Sequence, residues 1–492
     1  MTISNMRFRF LVALVAIPLQ SSFAQTFQDF LGRVAAAPDS ARTVLVDSFM
    51  NAVGSLPLIE SDTVAHFIYR GSVSSVTVPG DANEWNTSAF PMVRLSTTDL
   101  WYHKRSFESS ARLDYKFVLN GSVWILDPRN PHTVSGGFGP NSELRMPAYM
   151  PAPEIQFYPG IPHGQLWDTT FFSVNLGNSR TVRIYTPPGY QTSTDSFPVV
   201  LFHDGLEYVT LAQANNCIDY LVSQNRILPL IAVFVPPVNR TAEYAGNQMN
   251  QFSAFIVDEL MSYVAARFRT RRDPAGRAVL GASNGGNISL WLGLNYPSVF
   301  GNVAAQSSNI IGAISSGFQN SPRLDLKLYL DLGTYDIAAL IPLVRNFIPI
   351  LQSRGYVYRY DEFYEGHSWG NWRAHVDNAL EMFFPATPSA VGDAENQLSG
   401  FRLYQNYPNP FNPSTTINFS VLATSCVSIQ VYDVLGQTVA TLYGKIAEGG
   451  SSYSVLFDGR NFQGSQLSSG VYFYRLIASP GTSEMKQMLL MR

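Results

Sequence analysis

One stretch constrains the fold more than any other: Ala278-Val279-Leu280-Gly281-Ala282-Ser283-Asn284-Gly285-Gly286-Asn287-Ile288-Ser289-Leu290-Trp291-Leu292. Its first residues are apolar and stop at a glycine, as a short buried strand does, and from Ile288 apolar residues recur at helical spacing. Between them lies Gly-x-Ser-x-Gly-Gly. A chain that passes from strand to helix this abruptly turns where a Cβ would clash, and only glycine lacks one. The turn pushes the Ser283 hydroxyl out at the strand end. It also aims the N–H of Asn284, at the start of the helix, at the place where an oxyanion forms. A serine before a helix is often just an N-cap. The strand on one side and the helix on the other favour a nucleophile, and Ser283 is the expected one.

A chain of 492 residues has room for several cores. Charged residues are 14% and the formal net charge is −3, which argues against a nucleic-acid partner. The two cysteines, Cys217 and Cys426, fall in different predicted domains and imply no disulfide framework. Arg7 and Arg9 precede an apolar run from Phe10 to Leu19, and Ser22-Phe23-Ala24 offers small residues for cleavage. This reads as a secretory leader over residues 1–24, too short to span a membrane; no later apolar run of spanning length follows it.

Residues 25–63 read as a helical arm, with Phe30, Leu31, Val34 and Ala35 on one apolar face and Val44, Leu45, Phe49 and Val53 on the next. Over 64–150 short strand patterns alternate with turn signals (Pro79-Gly80-Asp81, Asn120-Gly121, Asp127-Pro128), which predicts a β-sandwich. From 155 to 385, strand-like runs at Val182–Tyr185, Pro198–Phe202, Leu230–Val235, Val279–Gly281, Val303–Ala305, Leu326–Leu332 and Tyr356–Phe363 alternate with helical ones. The helical runs are Leu211–Val222, Phe252–Phe268, Asn287–Leu294, Ile337–Leu351 and Asn371–Phe384. The alternation predicts an α/β fold with a largely parallel sheet, its chemistry at the C-terminal ends of the strands. Residues 386–400 read as a polar linker. A small β module fills 401–492, with strands expected at Thr416–Phe419, Val427–Tyr432 and Val471–Leu476.

A nucleophilic serine needs a base held by a third group. Of seven histidines only His367 and His375 follow Ser283. His367 lies in a loop directly after the last strand pattern, whereas His375 falls within a helical run, so His367 is the expected base. For the acid, Gly333-Thr334-Tyr335-Asp336 is the turn past a strand end, which favours Asp336; Asp331, within that strand, is the rival, and Asp336 could also cap the next helix. Phe202-His203-Asp204-Gly205-Leu206 follows the third strand, where the N–H of Gly205 or Leu206 would be the second oxyanion donor. Adjacent His203 and Asp204 point opposite ways on a strand, which argues against a metal site. Such chemistry requires neither metal nor cofactor.

Three resemblances follow from these residues. Pro79-Gly80-Asp81-Ala82-Asn83-Glu84-Trp85, Asp114-Tyr115-Lys116-Phe117, Trp124 and Leu126-Asp127-Pro128 resemble the immunoglobulin-like early-set domains that precede many glucan-acting enzymes and some esterases. That resemblance makes Trp85, Trp101 and Trp124 candidates for stacking on sugar rings, with packing as their alternative role. Asn406-Tyr407-Pro408-Asn409-Pro410-Phe411-Asn412-Pro413, Val431-Tyr432-Asp433-Val434-Leu435-Gly436 and Ser469-Gly470-Val471-Tyr472 resemble the C-terminal sorting domain of type IX secretion, implying contact with that machinery and export. Leu201 to Gly205, Arg240-Thr241-Ala242-Glu243-Tyr244, Gly281 to Gly286, Leu332 to Asp336 and Glu365-Gly366-His367-Ser368-Trp369 resemble the esterase family of enterochelin, feruloyl and acetylxylan esterases and S-formylglutathione hydrolase. The resemblance implies an α/β-hydrolase fold with a Ser283, Asp336, His367 triad. It makes Arg240, Glu243 and Trp369 candidates for the substrate side of the cleft, a structural ion pair being the alternative for the first two. The expected substrate is an ester, with acetyl or feruloyl groups on polysaccharide foremost, a siderophore ester as rival, and a non-catalytic carbohydrate-binding protein as the remaining alternative.

Overall fold

The computed structural model describes residues 26–386, 401–421, 425–434, 436–449, 451–462, 464–478 and 482–491. The leader expected at 1–24 and nearly all of the linker expected at 386–400 lie outside the described residues. Of the described residues, those up to 384, apart from 225–228, form one compact unit, and the others form a second.

The first unit begins with helices Phe27–Ala36 and Asp39–Ala52. Thr26 and Asp29 cap the first reciprocally: Thr26 Oγ1 accepts from the Asp29 N–H at 3.1 Å, and Asp29 Oδ2 accepts from the Thr26 N–H at 3.1 Å. Their buried face (Phe27, Phe30, Leu31, Val34, Val46, Met50) covers Ile68, Leu95 and Leu100 of an antiparallel sheet. Each such large apolar side chain contributes about 1.5–3 kcal/mol by leaving water. That sheet takes in Leu58–Glu60, Val64–Arg70, Leu100–Ser106 and Val93–Arg94, so the segment expected to be only a helical arm also supplies its edge strand. Two smaller sheets, one containing Arg112–Tyr115 and Gly139–Arg145 and the other Phe117–Leu119, close a core of Phe67, Trp101, Leu113, Tyr115, Phe117 and Leu144. Trp101 is a core residue whose indole N–H donates to Gly71 O at 3.1 Å, so it offers no sugar platform. Trp85 and Trp124 stack on one another at 6.4 Å, and Trp124 is 45% exposed.

The same unit continues into one eight-stranded sheet: β1 Gln165–Ser173, β2 Asn178–Thr186, β3 Val199–His203, β4 Ile231–Val235, β5 Arg277–Ala282, β6 Asn302–Gln306, β7 Lys327–Tyr335 and β8 Val357–Gly366. The order is β1-β2-β4-β3-β5-β6-β7-β8. The pairs β1–β2 and β2–β4 are antiparallel and all others parallel. Strands β3 to β6 read as nearly unbroken runs of Val, Leu, Ile, Ala and Phe because helices bury both faces. This is an α/β-hydrolase sheet.

Where helices start and stop departs from expectation. The helix expected over Ile337–Leu351 begins at Ile341. The helix expected over Leu211–Val222 begins only at Ala214, after Gln213, whose φ is +56°, and a separate short helix, Gly205–Thr210, precedes it. The run Asn371–Phe384 divides at His375 into Trp369–Ala374 and Val376–Phe383. Strand β1 and helices Arg240–Ala245 and Gly312–Asn320 carried too weak an apolar period to be anticipated.

The second unit is a sandwich of two antiparallel sheets. One contains Phe401–Leu403, Thr415–Val421 and Ser451–Phe457; the other contains Ser425–Tyr432, Thr438–Ala447, Gly470–Ala478 and Thr482–Leu490. Alternating side chains, among them Ile417, Phe419, Ile429, Val431, Tyr474 and Leu476, form the core between them.

Candidate active site

Ser283 follows β5 directly, with φ +57° and ψ −120°, a strained conformation for a residue with a side chain. The surroundings hold it there. Its N–H donates to Gln306 O on β6 at 2.8 Å, and its own carbonyl accepts from Asn309 N–H at 3.2 Å. A Cβ on Gly281 would lie 2.4 Å from the backbone of Gly285, so the strand can fold against the helix Asn284–Asn295 only where that carbon is absent. Ser283 is half-buried, and the first N–H groups of the helix behind it have no intrahelical acceptor.

The loop after β3 approaches the elbow from the side. Asp204 takes a left-handed conformation (φ +54°), its N–H held by the Tyr244 hydroxyl at 3.0 Å. A Cβ on Gly205 would lie 2.2 Å from the backbone of Phe234 and Val235, so this position too demands glycine. Gly205 and Leu206 open the short helix Gly205–Thr210, which leaves their N–H groups, like that of Asn284, without helical partners.

Asp336 follows β7 and His367 follows β8. The two meet: His367 Nδ1 lies 2.7 Å from Asp336 Oδ1, with the Asp336 side chain fully buried and that of His367 18% exposed. The same Asp336 oxygen accepts the Ile337 N–H at 2.7 Å. Trp372 stands edge-on to His367 at 5.0 Å, and Trp369 packs against Trp372 and Tyr208. Ser283, Asp204–Leu206, Asp336 and His367 thus all gather at the C-terminal edge of the parallel strands, where such a sheet collects its chemistry.

Asp331 turns elsewhere. Wholly buried on β7, it accepts from Gln306 Nε2 at 2.9 Å, and burial pushes its carboxyl up to about 7. His375 is occupied by Glu365 at 2.9 Å and by Phe363, on which it stacks at 3.4 Å. Burial works against a charge on His375, yet Glu365, Asp331 and Asp377 hold its pKa above the ordinary value. His203 is enclosed by Tyr244 and Phe252, and burial lowers its pKa to about 3, so it is neutral.

Two of the three substrate-side candidates take structural positions. Glu243 is completely buried, pairs with the equally buried Arg180 (2.9 and 3.1 Å) and accepts the Val238 N–H at 3.2 Å, so it makes no substrate contact. Arg240 pairs with Asp204 rather than Glu243, through two hydrogen bonds of 2.8 Å, and donates to Ala282 O at 3.2 Å. It thereby ties the β3 loop to the residue before the nucleophile. Trp369 is 9% exposed and forms a wall behind His367 rather than an open platform. The sequence reading missed the guanidinium of Arg112, which reaches from the N-terminal β-rich region to Ser368 at 3.2 Å; nothing in local sequence distinguishes it from a surface arginine.

Comparisons with known proteins agree with this architecture. Residues 173–383 match the family described as "Putative esterase", and residues 405–490 match the secretion system C-terminal sorting domain. An iron(III) enterobactin esterase of Escherichia coli is 28% identical over 280 residues, 52% of this chain and 68% of that protein. An endo-1,4-beta-xylanase/feruloyl esterase of Xylanibacter ruminicola is 27% identical over 204 residues, 38% of this chain and only 27% of that protein. Among solved structures, ferric enterobactin esterase of Salmonella typhimurium superposes with a TM-score of 0.61 at 19% identity, covering 68% of this chain and 98% of that one, a likeness of fold. The chain carries an esterase domain and a sorting domain that directs it to the cell surface or beyond, and no described helix is long and apolar enough to cross a membrane.

Proposed function

We propose that this exported esterase is a serine hydrolase working through an acyl-enzyme. Ser283 Oγ attacks the ester carbonyl while His367 takes its proton and returns it to the leaving alcohol. Asp336 fixes the His367 tautomer and stabilises the imidazolium. The N–H of Asn284, with that of Gly205 or Leu206, receives the oxyanion. Water then repeats the sequence and frees the acid. The observation that carries this reading is the 2.7 Å contact between Asp336 and His367 on the sheet edge that also bears the strained Ser283.

The substrate class we favour is a neutral acyl group, acetyl or feruloyl, on polysaccharide. The guanidinium that reaches the elbow, that of Arg240, is neutralised by Asp204, and the ring of Trp372, itself packed on Trp369, stands against His367. This favours an uncharged or aromatic acyl chain over an anionic iron chelate. The relationship to an iron(III) enterobactin esterase supports a siderophore ester as the second reading.

Hydrolysis of p-nitrophenyl acetate, butyrate and ferulate by wild type and Ser283→Ala tests both levels. Turnover should fall by about 10⁴–10⁶-fold in the variant. Turnover that survives the substitution sinks the serine mechanism. A wild type that ignores all three esters but cleaves a catecholate siderophore replaces the polysaccharide reading with its rival.

A further inference from the structure

Residues on both sides of His367, and the residue before Asp336, are held by the N-terminal β-rich region. Arg112, on strand Arg112–Tyr115, is fully buried and charge-paired with Asp114 and Glu143, each at 2.5 Å. Its remaining nitrogen donates to Ser368 Oγ at 3.2 Å and lies 3.9 Å from Glu365. The guanidinium lies flat against Gly370, where a Cβ would come within 2.0–2.1 Å of three of its atoms. On the other side, a Cβ on Gly366 would lie 2.1 Å from Asp81 Cγ. Asp81 is itself fastened by the N–H of Asp114 at 2.8 Å and the indole of Trp85 at 3.1 Å. The segment Gly366–Gly370 is therefore seated between Asp81 and Arg112. The end of β7, next to the acid, is tied as well: Tyr335 donates its hydroxyl to Glu108 at 2.6 Å and packs its ring against Phe107.

The Ser283 side of the site is held differently among the described residues. Its elbow is fixed by β6, the Gly281–Gly285 contact and Arg240, all within the hydrolase sheet and its helices.

We infer that Arg112 and Glu108 are positioning residues for the Asp336–His367 couple, and that the N-terminal region is a working part of the catalytic unit. The inference rests on the triad reading above. The β7–β8 ladder pairs Tyr335 with Gly366 and so sets the two strand ends side by side. Asp336 and His367 lie one residue beyond that ladder, and a 2.7 Å contact between them still needs both chain ends held. The N-terminal β-rich region supplies a common surface for both. A buried arginine suits that task because its planar fork grips several acceptors at once, and its fixed geometry loses little freedom in doing so.

The test cuts each tie in the full chain without stranding a buried charge. Ser368→Ala removes the Arg112 contact and Tyr335→Phe the Glu108 contact, while Arg112 keeps Asp114 and Glu143. Loosening of the His–Asp geometry predicts that kcat per titrated active site falls about tenfold in each single variant and about a hundredfold in the double, with KM within about twofold. Ser368→Thr, which keeps the hydroxyl, should restore the rate. A lowered melting temperature with kcat per site unchanged would make the contacts merely structural and overturn the inference. A rise in KM alone would overturn it too, placing these groups on the substrate instead. Ser283→Ala run alongside separates the two levels: survival of turnover there refutes the triad itself, whereas its loss together with an unaffected Ser368→Ala refutes only the positioning role.

Discussion

Replacing Asp331 and Asp336 by asparagine, one at a time, should give opposite phenotypes from the same chemical change. Both follow from what each carboxyl touches. Asp336 Oδ1 meets His367 Nδ1 at 2.7 Å, so Asp336→Asn removes the charge that stabilises the imidazolium and presents an amide able to enforce the wrong tautomer. In a triad this costs about 10⁴-fold in kcat. Asp331 accepts from Gln306 at 2.9 Å; His375, the Tyr329 hydroxyl and Asp361 are the other groups that act on it. Its carboxyl titrates at about 7 in the fold, against about 3.9 in an unfolded chain. The folded protein therefore keeps a proton that the unfolded chain sheds above pH 4. This group's contribution to stability is complete below pH 4 and is lost as pH rises through 7, a difference of about 4 kcal/mol at 1.36 kcal/mol per unit. Asparagine matches the carboxyl in shape and does not titrate. Asp331→Asn should hold esterase activity near wild type and gain melting temperature relative to wild type progressively between pH 4 and 8. The assay is p-nitrophenyl ester turnover beside thermal melts over that pH range. Loss of activity in Asp331→Asn equal to that in Asp336→Asn would refute the assignment of the acid. A melting difference that ignores pH would refute the account of the buried carboxyl.

Other outcomes follow from the same contacts. Glu243→Ala strands the buried Arg180 and should destabilise the fold by about 3–5 kcal/mol in denaturant melts, while the ranking of ester substrates stays as in wild type. Gly205→Ala puts a Cβ 2.2 Å from the Phe234–Val235 backbone; the oxyanion loop must move, and kcat should drop about a hundredfold with a smaller change in KM, read by steady-state kinetics. Removal of residues 401–492 deletes a unit with its own core, so the remaining chain should melt cooperatively and keep its kcat, checked by calorimetry and ester hydrolysis.

Much of the site was legible because its parts obey local rules. The elbow needs glycines at fixed offsets from Ser283, and the proposed acid and base sit at or just past strand ends, so spacing pointed to Ser283 and His367 and left Asp336 with Asp331 as its rival. Arg240 and Glu243 stand three residues apart on one short helix, and local rules invite a pairing between them. Their partners, Asp204 and Arg180, come from β-strands or loops 36 and 63 residues away. A sequence states which charges exist but not which will be desolvated together, and that choice determines whether a carboxylate touches substrate or braces a loop.

The chain by itself thus determined the α/β alternation, the strained serine and the sorting module, since each depends on period or on a turn only certain residues can make. Only the tertiary structure distinguishes Asp331 from Asp336, because both lie on or just past one strand and differ in which neighbours meet them, Gln306 in one case and His367 in the other. It alone enclosed Arg112 and Asp114 as well. Alternation along their strand puts the two on one face, which local rules would leave to water. The fold closes that face against Gly370 and Ser368, and burial there turns two ordinary surface-type charges into a fixed support for the histidine loop.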